Sequence, residues 1–138
     1  MNGNNVSRFA DLSVLIIEDN AVNQKVTLAM LNHFNIAADV AENGQIGLDC
    51  AAKKKYDLIL MDCQMPVKNG FETTRAIREL DQQAPPDFKT ASDVIIIAMS
   101  ANVESDDIAE CKECGMNDFV AKPVELEVVA SMLDKWFK

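Results

Sequence analysis

Residues 57–70 read DLILMDCQMPVKNG. The apolar run Leu58, Ile59, Leu60, Met61 ends in an acid, Asp62. A loop with Pro66 and Gly70 follows, and then a helical pattern begins. A short continuous apolar run bounded by turn residues suits a strand buried on both faces of a parallel sheet. A carboxylate at the carboxyl end of such a strand stands where open α/β sheets bind ligands.

The same layout recurs on either side. Val14 to Ile17 form an apolar run that ends in Glu18-Asp19-Asn20, and Val94 to Ala98 form one that ends at Ser100. Ile36 to Val40 and Asp118 to Ala121 read as shorter strands, the latter ending in Lys122-Pro123. Helical patterns fill the intervals, over roughly 21–34, 44–54, 71–80, 103–114 and 125–137. In the first helix Val22, Val26, Ala29/Met30 and His33 share a stripe expected to face the core. In the last, the expected stripe is Leu126, Val129/Ala130, Leu133 and Trp136/Phe137. Pro85-Pro86 keeps 81–92 from being helical throughout, and Gly115 suits a left-handed helix cap.

Strands alternating with helices through short right-handed connections give an α/β fold, a doubly wound five-stranded parallel sheet with five helices. The loops after the strands then leave one edge of the sheet. Glu18, Asp19, Asp62, Ser100 and Lys122, far apart in sequence, gather at one rim.

With 138 residues the chain has the length of one domain with a real core; residues 1–11 read as a polar lead-in or linker and 12–138 as the domain. The net charge of −9 argues against direct binding to nucleic acid or an anionic membrane surface. No stretch approaches the ~20 apolar residues of a membrane span, and the N-terminus lacks the apolar core of a signal peptide. The four cysteines are therefore expected as reduced thiols in the cytoplasm, although a parent chain can carry a membrane anchor elsewhere.

Three carboxylates at one rim repel one another and call for a cation. Oxygen donors without clustered His or Cys suit Mg²⁺, which retains waters and completes its shell with phosphate oxygens. A carboxylate beside a metal and a lysine is also a nucleophile for phosphorus, giving an aspartyl-phosphate. Lys122 would spread the charge of the transferring group, and the Ser100 hydroxyl would donate to a phosphoryl oxygen.

The motifs LIIEDN (15–20), LILMDCQMPVKNG (58–70), IIAMSAN (96–102) and DFVAKP (118–123), in this order, resemble the receiver domain of two-component response regulators, over nearly the whole chain from Ser13. The resemblance implies a flavodoxin-like receiver fold with Asp62 as phosphoacceptor. It implies Mg²⁺ held by Glu18, Asp19, Asp62 and the backbone carbonyl of Gln64. It makes Ser100 the switch hydroxyl, Phe119 the switch aromatic and Lys122 the lysine of the site, with a cis Lys122–Pro123 peptide. Such a domain catalyses its own phosphorylation and dephosphorylation, whether or not it counts as an enzyme. Its implied partners are a histidine kinase or histidine phosphotransfer domain upstream and a downstream protein or fused domain. Switching would use the surface of the fourth helix, fifth strand and last helix.

The sequence also departs from the family's commoner pattern. Glu18 stands where many members have aspartate, Ser100 where threonine is commoner, and Phe119 lacks a hydroxyl, so a switch there works by packing. Gln64 and Asn102 fall at positions that tune phosphoryl lifetime. Glu-Asp-Asn followed by Asn23 is most like the receivers of hybrid histidine kinases.

Two rival functions share parts of this chemistry. A Mg²⁺-dependent phosphohydrolase of the haloacid-dehalogenase type also forms an aspartyl-phosphate, but usually has a second acid two residues after its nucleophile, where this chain has Gln64. A phosphorylation-independent pseudo-receiver adaptor would not need Asp19, Asp62, Ser100 and Lys122 together. Other features read as structural. Cys111 and Cys114 lack the second pair that zinc would want. Cys63 adjoins Asp62 and reads as buried. His33 reads as a half-buried helix-face residue, Lys53 to Lys55 as a solvated helix end, and Met61, Met65 and Met99 as packing.

Overall fold

The computed structural model describes residues 9, 11–63, 69–83, 94–100, 105–122 and 124–137. Among these the elements run β1 (Val14–Ile17), α1 (Ala21–His33), β2 (Ala38–Ala41), α2 (Gly44–Lys53), β3 (Leu58–Asp62), α3 (Gly70–Gln83), β4 (Ile95–Ser100), α4 (Ser105–Cys114), β5 (Asp118–Ala121) and α5 (Leu126–Phe137). The strands form one parallel sheet in the order β2-β1-β3-β4-β5. The expected doubly wound α/β architecture is what the chain adopts.

Every residue of β1 and β3 is buried, as a parallel strand covered on both faces demands. Alternate residues serve two cores. Leu15, Ile17, Ile59, Met61, Ile96 and Ala98 meet Ala51, Ile77, Cys111 and Cys114 from α2, α3 and α4. Val14, Ile16, Leu58, Leu60, Ile97 and Met99 meet Leu31 of α1 and Val129, Met132 and Leu133 of α5. Phe9 joins this second core, edge-on to Phe34 at 6.1 Å, although it precedes residue 12.

Two expected stripes are corrected. In α1 the buried residues are Thr27 and Leu31, while Val22 and Val26 are 68% and 43% exposed and His33 is exposed. The helix is rotated so that the Thr27–Leu31 line, one residue beyond the Val22–Val26 line, meets the sheet. In α5 the correction touches Leu126 alone, which is exposed; Val129, Leu133, Trp136 and Phe137 pack against the core as expected, joined by Met132. The third helix extends to Gln83, past its expected end. The diproline and the expected loop from 84 onward lie outside the described residues up to 93.

Helix starts follow capping chemistry. Asn20 and Asn43 accept from the amides of Asn23 and Ile46. Asn69 and Glu72 form a reciprocal capping box, with Glu72 N–H donating to Asn69 Oδ1 and Asn69 N–H to Glu72 Oε1. Gly70 has no room for a side chain: a Cβ would lie 2.6 Å from the Asp62 carbonyl oxygen and 2.8 Å from Cys63 Cα. This glycine lets α3 start directly against the end of β3.

Gly115 adopts φ +111° after α4, the left-handed cap expected of it. Its carbonyl accepts from Arg78 Nε and Nη2 at 3.0 and 2.8 Å. Arg78 also donates to the Val94 carbonyl and to Asn117 Oδ1, each at 2.8 Å. One planar guanidinium therefore ties α3 to the start of β4 and to the α4–β5 turn. Replacing Arg78 by alanine leaves these acceptors without their donor, at an expected cost of about 2–4 kcal/mol. Urea denaturation should show that loss, with lysine restoring only part because it cannot reproduce the fork.

Candidate functional site

The strand order reverses between β1 and β3, and the crevice at such a reversal is where open α/β sheets bind ligands. Asp62 is the last residue of β3, and Glu18 and Asp19 follow β1. Met99 O accepts the Cys63 amide and Ala41 O accepts the Glu18 amide, so both acids sit on pinned backbone. On the next strands, Ser100 O accepts the Lys122 amide at 2.8 Å, which brings the end of β5 to the same rim.

Glu18 and Asp62 are almost fully buried, at 1% and 2% exposed. Lys122 Nζ lies 3.0 Å from Asp62 Oδ1 and 3.1 Å from Glu18 Oε1. The Glu18 contact is one of charge: Oε1 is buried and receives no well-aligned hydrogen bond. Its other oxygen, Oε2, accepts the Asn20 amide at 3.2 Å. Burial raises the Glu18 pKa to about 7, the neighbouring Asp62 carboxylate adds to the rise, and Lys122 offsets only part of it. For Lys122 burial works the other way, but its contacts with Asp62 and Glu18 prevail and hold the ammonium above the usual lysine range.

Asp19, exposed, completes the set. Glu18, Asp19 and Asp62 each offer a carboxylate oxygen, all within 4.8 Å of one another. Oxygen donors only, with one buried oxygen left without a good donor, fit a hard divalent cation. Among the described residues this is the one such cluster of potential metal ligands.

Five of the residues expected at the rim are thus brought together, since Ser100, 7% exposed, ends β4 beside them. Phe119 is half-buried in β5 and packs against the α2–α3–α4 core. Gln64, Met65, Pro66, Asn102 and the Lys122–Pro123 peptide fall outside the described residues. A cavity of about 80 Å³ opens beside the pair, lined by Glu18, Asn23, Val26, Thr27, Met99, Lys122 and Val124.

The cysteines are free thiols. Cys63, Cys111 and Cys114 are buried in one core, and burial pushes the Cys63 and Cys114 thiols up, away from the reactive thiolate. Cys114 Sγ donates to the Cys111 carbonyl, a packing role. Lys53 to Lys55 are exposed, with Lys54 paired to Asp39 at 3.0 Å. The sequence reading missed Asn20 and Gln24 as supports of Glu18. Asn20 acts through its main-chain amide and Gln24 through a side chain bonded to main chain, and neither leaves a spacing signal.

A doubly wound sheet with an acid pocket and a lysine at its switch point defines a class of phosphate-handling α/β domains. The family model for the response regulator receiver domain matches residues 14–134, and the chain belongs to that family. It is 43% identical over 127 residues to hybrid signal transduction histidine kinase B of Dictyostelium discoideum, covering 88% of this chain and 6% of that protein. It superposes with TM-score 0.78 and 35% identity on the receiver domain of the Pseudomonas aeruginosa sensor histidine kinase PA1611, solved with a magnesium ion in its active-site cleft (91% and 96% of the two chains). The receiver domain of Saccharomyces cerevisiae Ssk1, solved with the histidine phosphotransfer protein Ypd1, gives 0.81 and 31% identity (91% and 88%). The chain spans 6% to 10% of the length of three hybrid kinases it matches.

Because Glu18 holds a proton more tightly when folded, its contribution to stability is full below pH 4.5 and is lost as pH rises through about 7. Thermal melts in EDTA should show that loss across this window, and Glu18→Gln should remove it. An unchanged slope in Glu18→Gln would contradict the assignment.

Proposed function

We propose that Asp62 of this receiver domain accepts a phosphoryl group from a phosphohistidine, with Lys122, Ser100 and a Mg²⁺ pocket of Glu18, Asp19 and Asp62 as the machinery. The observation that carries the reading is the Lys122 ammonium, 3.0 and 3.1 Å from two buried carboxylates. The Asp62 oxygen would form the new O–P bond as the N–P bond to the donor imidazole breaks, its electron pair staying on the imidazole. Lys122 is placed to balance charge on Asp62 before transfer and on the phosphoryl oxygens after it. The Ser100 hydroxyl would turn to donate to a phosphoryl oxygen, and Phe119, without a hydroxyl, would follow by repacking. Bound Mg²⁺ would supply further neutralisation of the phosphoryl oxygens, held by the three acids and, on the family pattern, by the Gln64 carbonyl.

The donor would be a histidine kinase or a histidine phosphotransfer domain, the kind of partner seen with the Ssk1 receiver. Val22 and Val26 support a docking role for α1, since both are exposed and Val26 lines the cavity beside Glu18 and Lys122. An apolar strip next to a charged pocket suits a partner that covers the reaction from water. The output would pass through the α4, β5 and α5 surface to a downstream protein or fused domain. Among the described residues no helix is long and apolar enough to cross a membrane. Free thiols support a reducing compartment, and we place the domain in the cytoplasm. The parent is best read as a hybrid histidine kinase.

One experiment with two donors tests this. With Mg²⁺ and acetyl phosphate or phosphoramidate, intact mass should show a labile single phosphoryl adduct, absent in Asp62→Asn. With a phosphorylated histidine phosphotransfer protein, Val22→Asp, outside the cavity lining, should slow transfer by roughly 10-fold, while uptake from the small donor is unchanged. No adduct, or an adduct that survives Asp62→Asn, would refute the assignment. Rapid turnover of phosphate esters would point to the phosphohydrolase instead.

A further inference from the structure

The β1–α1 turn carries two of the three acids, and no covalent or helical constraint holds it closed. Glu18 and Asp62 carry like charges when both are ionised, and Asp19 stands within the same 4.8 Å cluster. Their repulsion pushes this turn away from β3 whenever the charges are unbalanced. Something on the β1 side must oppose that push.

Two residues do so at the start of α1, one through its main-chain amide and one through its side chain. Asn20 donates its amide N–H to Glu18 Oε2 while its side chain caps the helix. Gln24, half-buried, donates Nε2 to the main-chain carbonyl of Glu18 at 2.7 Å, the shortest of these contacts. Gln24 N–H also donates to the Asn20 carbonyl at 2.9 Å as the helix begins. The Glu18 peptide is therefore held on both sides, by Ala41 O accepting its N–H and by Gln24 donating to its C=O. A carbonyl just past a strand end would otherwise look to water, and its plane would be free to swing with the carboxylates attached.

We infer that Gln24 is a positioning residue of the acid pocket, clamping the Glu18 carbonyl so that Glu18 and Asp19 stay aimed at the cation. This inference rests on the proposed Mg²⁺ site and assigns it a support outside the ligands. The requirement is a donor at this position, not an amide as such. Methionine, nearly isosteric and uncharged, would occupy the same space without a donor. Alanine would leave the carbonyl to water.

Direct Mg²⁺ binding reads this out, by calorimetry and by the amide shifts of Glu18 and Asp19. Gln24→Ala and Gln24→Met should each weaken Mg²⁺ by roughly 10-fold or more, the scale of losing a support behind a metal ligand. At saturating Mg²⁺ the rate of phosphoryl uptake should return close to wild type in Gln24→Ala, which separates positioning from chemistry. Gln45→Ala, removing an exposed α2 glutamine that bonds only Asp49 among the contacts described, serves as the control and should not change the affinity. Wild-type affinity in Gln24→Met would overturn the inference while leaving the Mg²⁺ site standing. Failure of the wild type itself to bind Mg²⁺ would overturn both.

Discussion

A single ammonium group, that of Lys122, stands between two buried carboxylates at the mouth of the sheet. Burying Glu18 and Asp62 side by side is tolerable only with positive charge beside them, because an uncompensated buried anion is expensive. The fold supplies that charge from β5, on the far side of β4. Strand pairing must therefore be in register across β1, β3, β4 and β5 for the site to exist. Burial, with the Asp62 carboxylate beside it, keeps the Glu18 pKa raised in spite of Lys122. Three acids beside one ammonium suit a hard divalent cation.

The rest of the molecule keeps those strand ends together. β1 and β3 lie at the middle of the sheet and are buried on both faces, so neither end can move without disturbing two cores. Gly70 allows α3 to begin against the Asp62 carbonyl, and Arg78, two turns along the same helix, fastens it to β4 and to the turn before β5. Asn117 continues the theme by accepting from the Ile96 amide and donating its own amide to the Ile96 carbonyl. On the opposite face, α1 contributes Gln24 and Asn20 to the site and leaves Val22 and Val26 facing outward. The same helix thus braces the pocket and offers the surface beside it.

Much of this was legible because parallel strands leave a blunt signal. Apolar runs that stop at Glu18, Asp62, Ser100 and Lys122 fix topology and rim together, and the structure brings those residues to one edge. Helix faces were read less well. In α1 valines at 22 and 26 outweighed a threonine in the periodicity, yet Thr27 is buried and the valines are not. Hydropathy alone does not distinguish an apolar stripe that meets the core from one left for a partner. Leu126, exposed at the start of α5, misled in the same way. The Gln24 and Arg78 contacts were not readable at all, since side chains that bond main-chain carbonyls at long or irregular separations leave no periodic trace.

In the proposed reaction the buried acid at the end of β3, Asp62, becomes an acyl phosphate. Borohydride reduces an acyl phosphate of aspartate to homoserine and leaves phosphoesters and free carboxylates intact. Phosphorylation with acetyl phosphate and Mg²⁺, followed by borohydride and peptide mass spectrometry, reads the site directly. Homoserine is expected at position 62 alone, and only with Mg²⁺. Reduction at Glu18 or Asp19, or a phosphoryl group that resists borohydride, would contradict it.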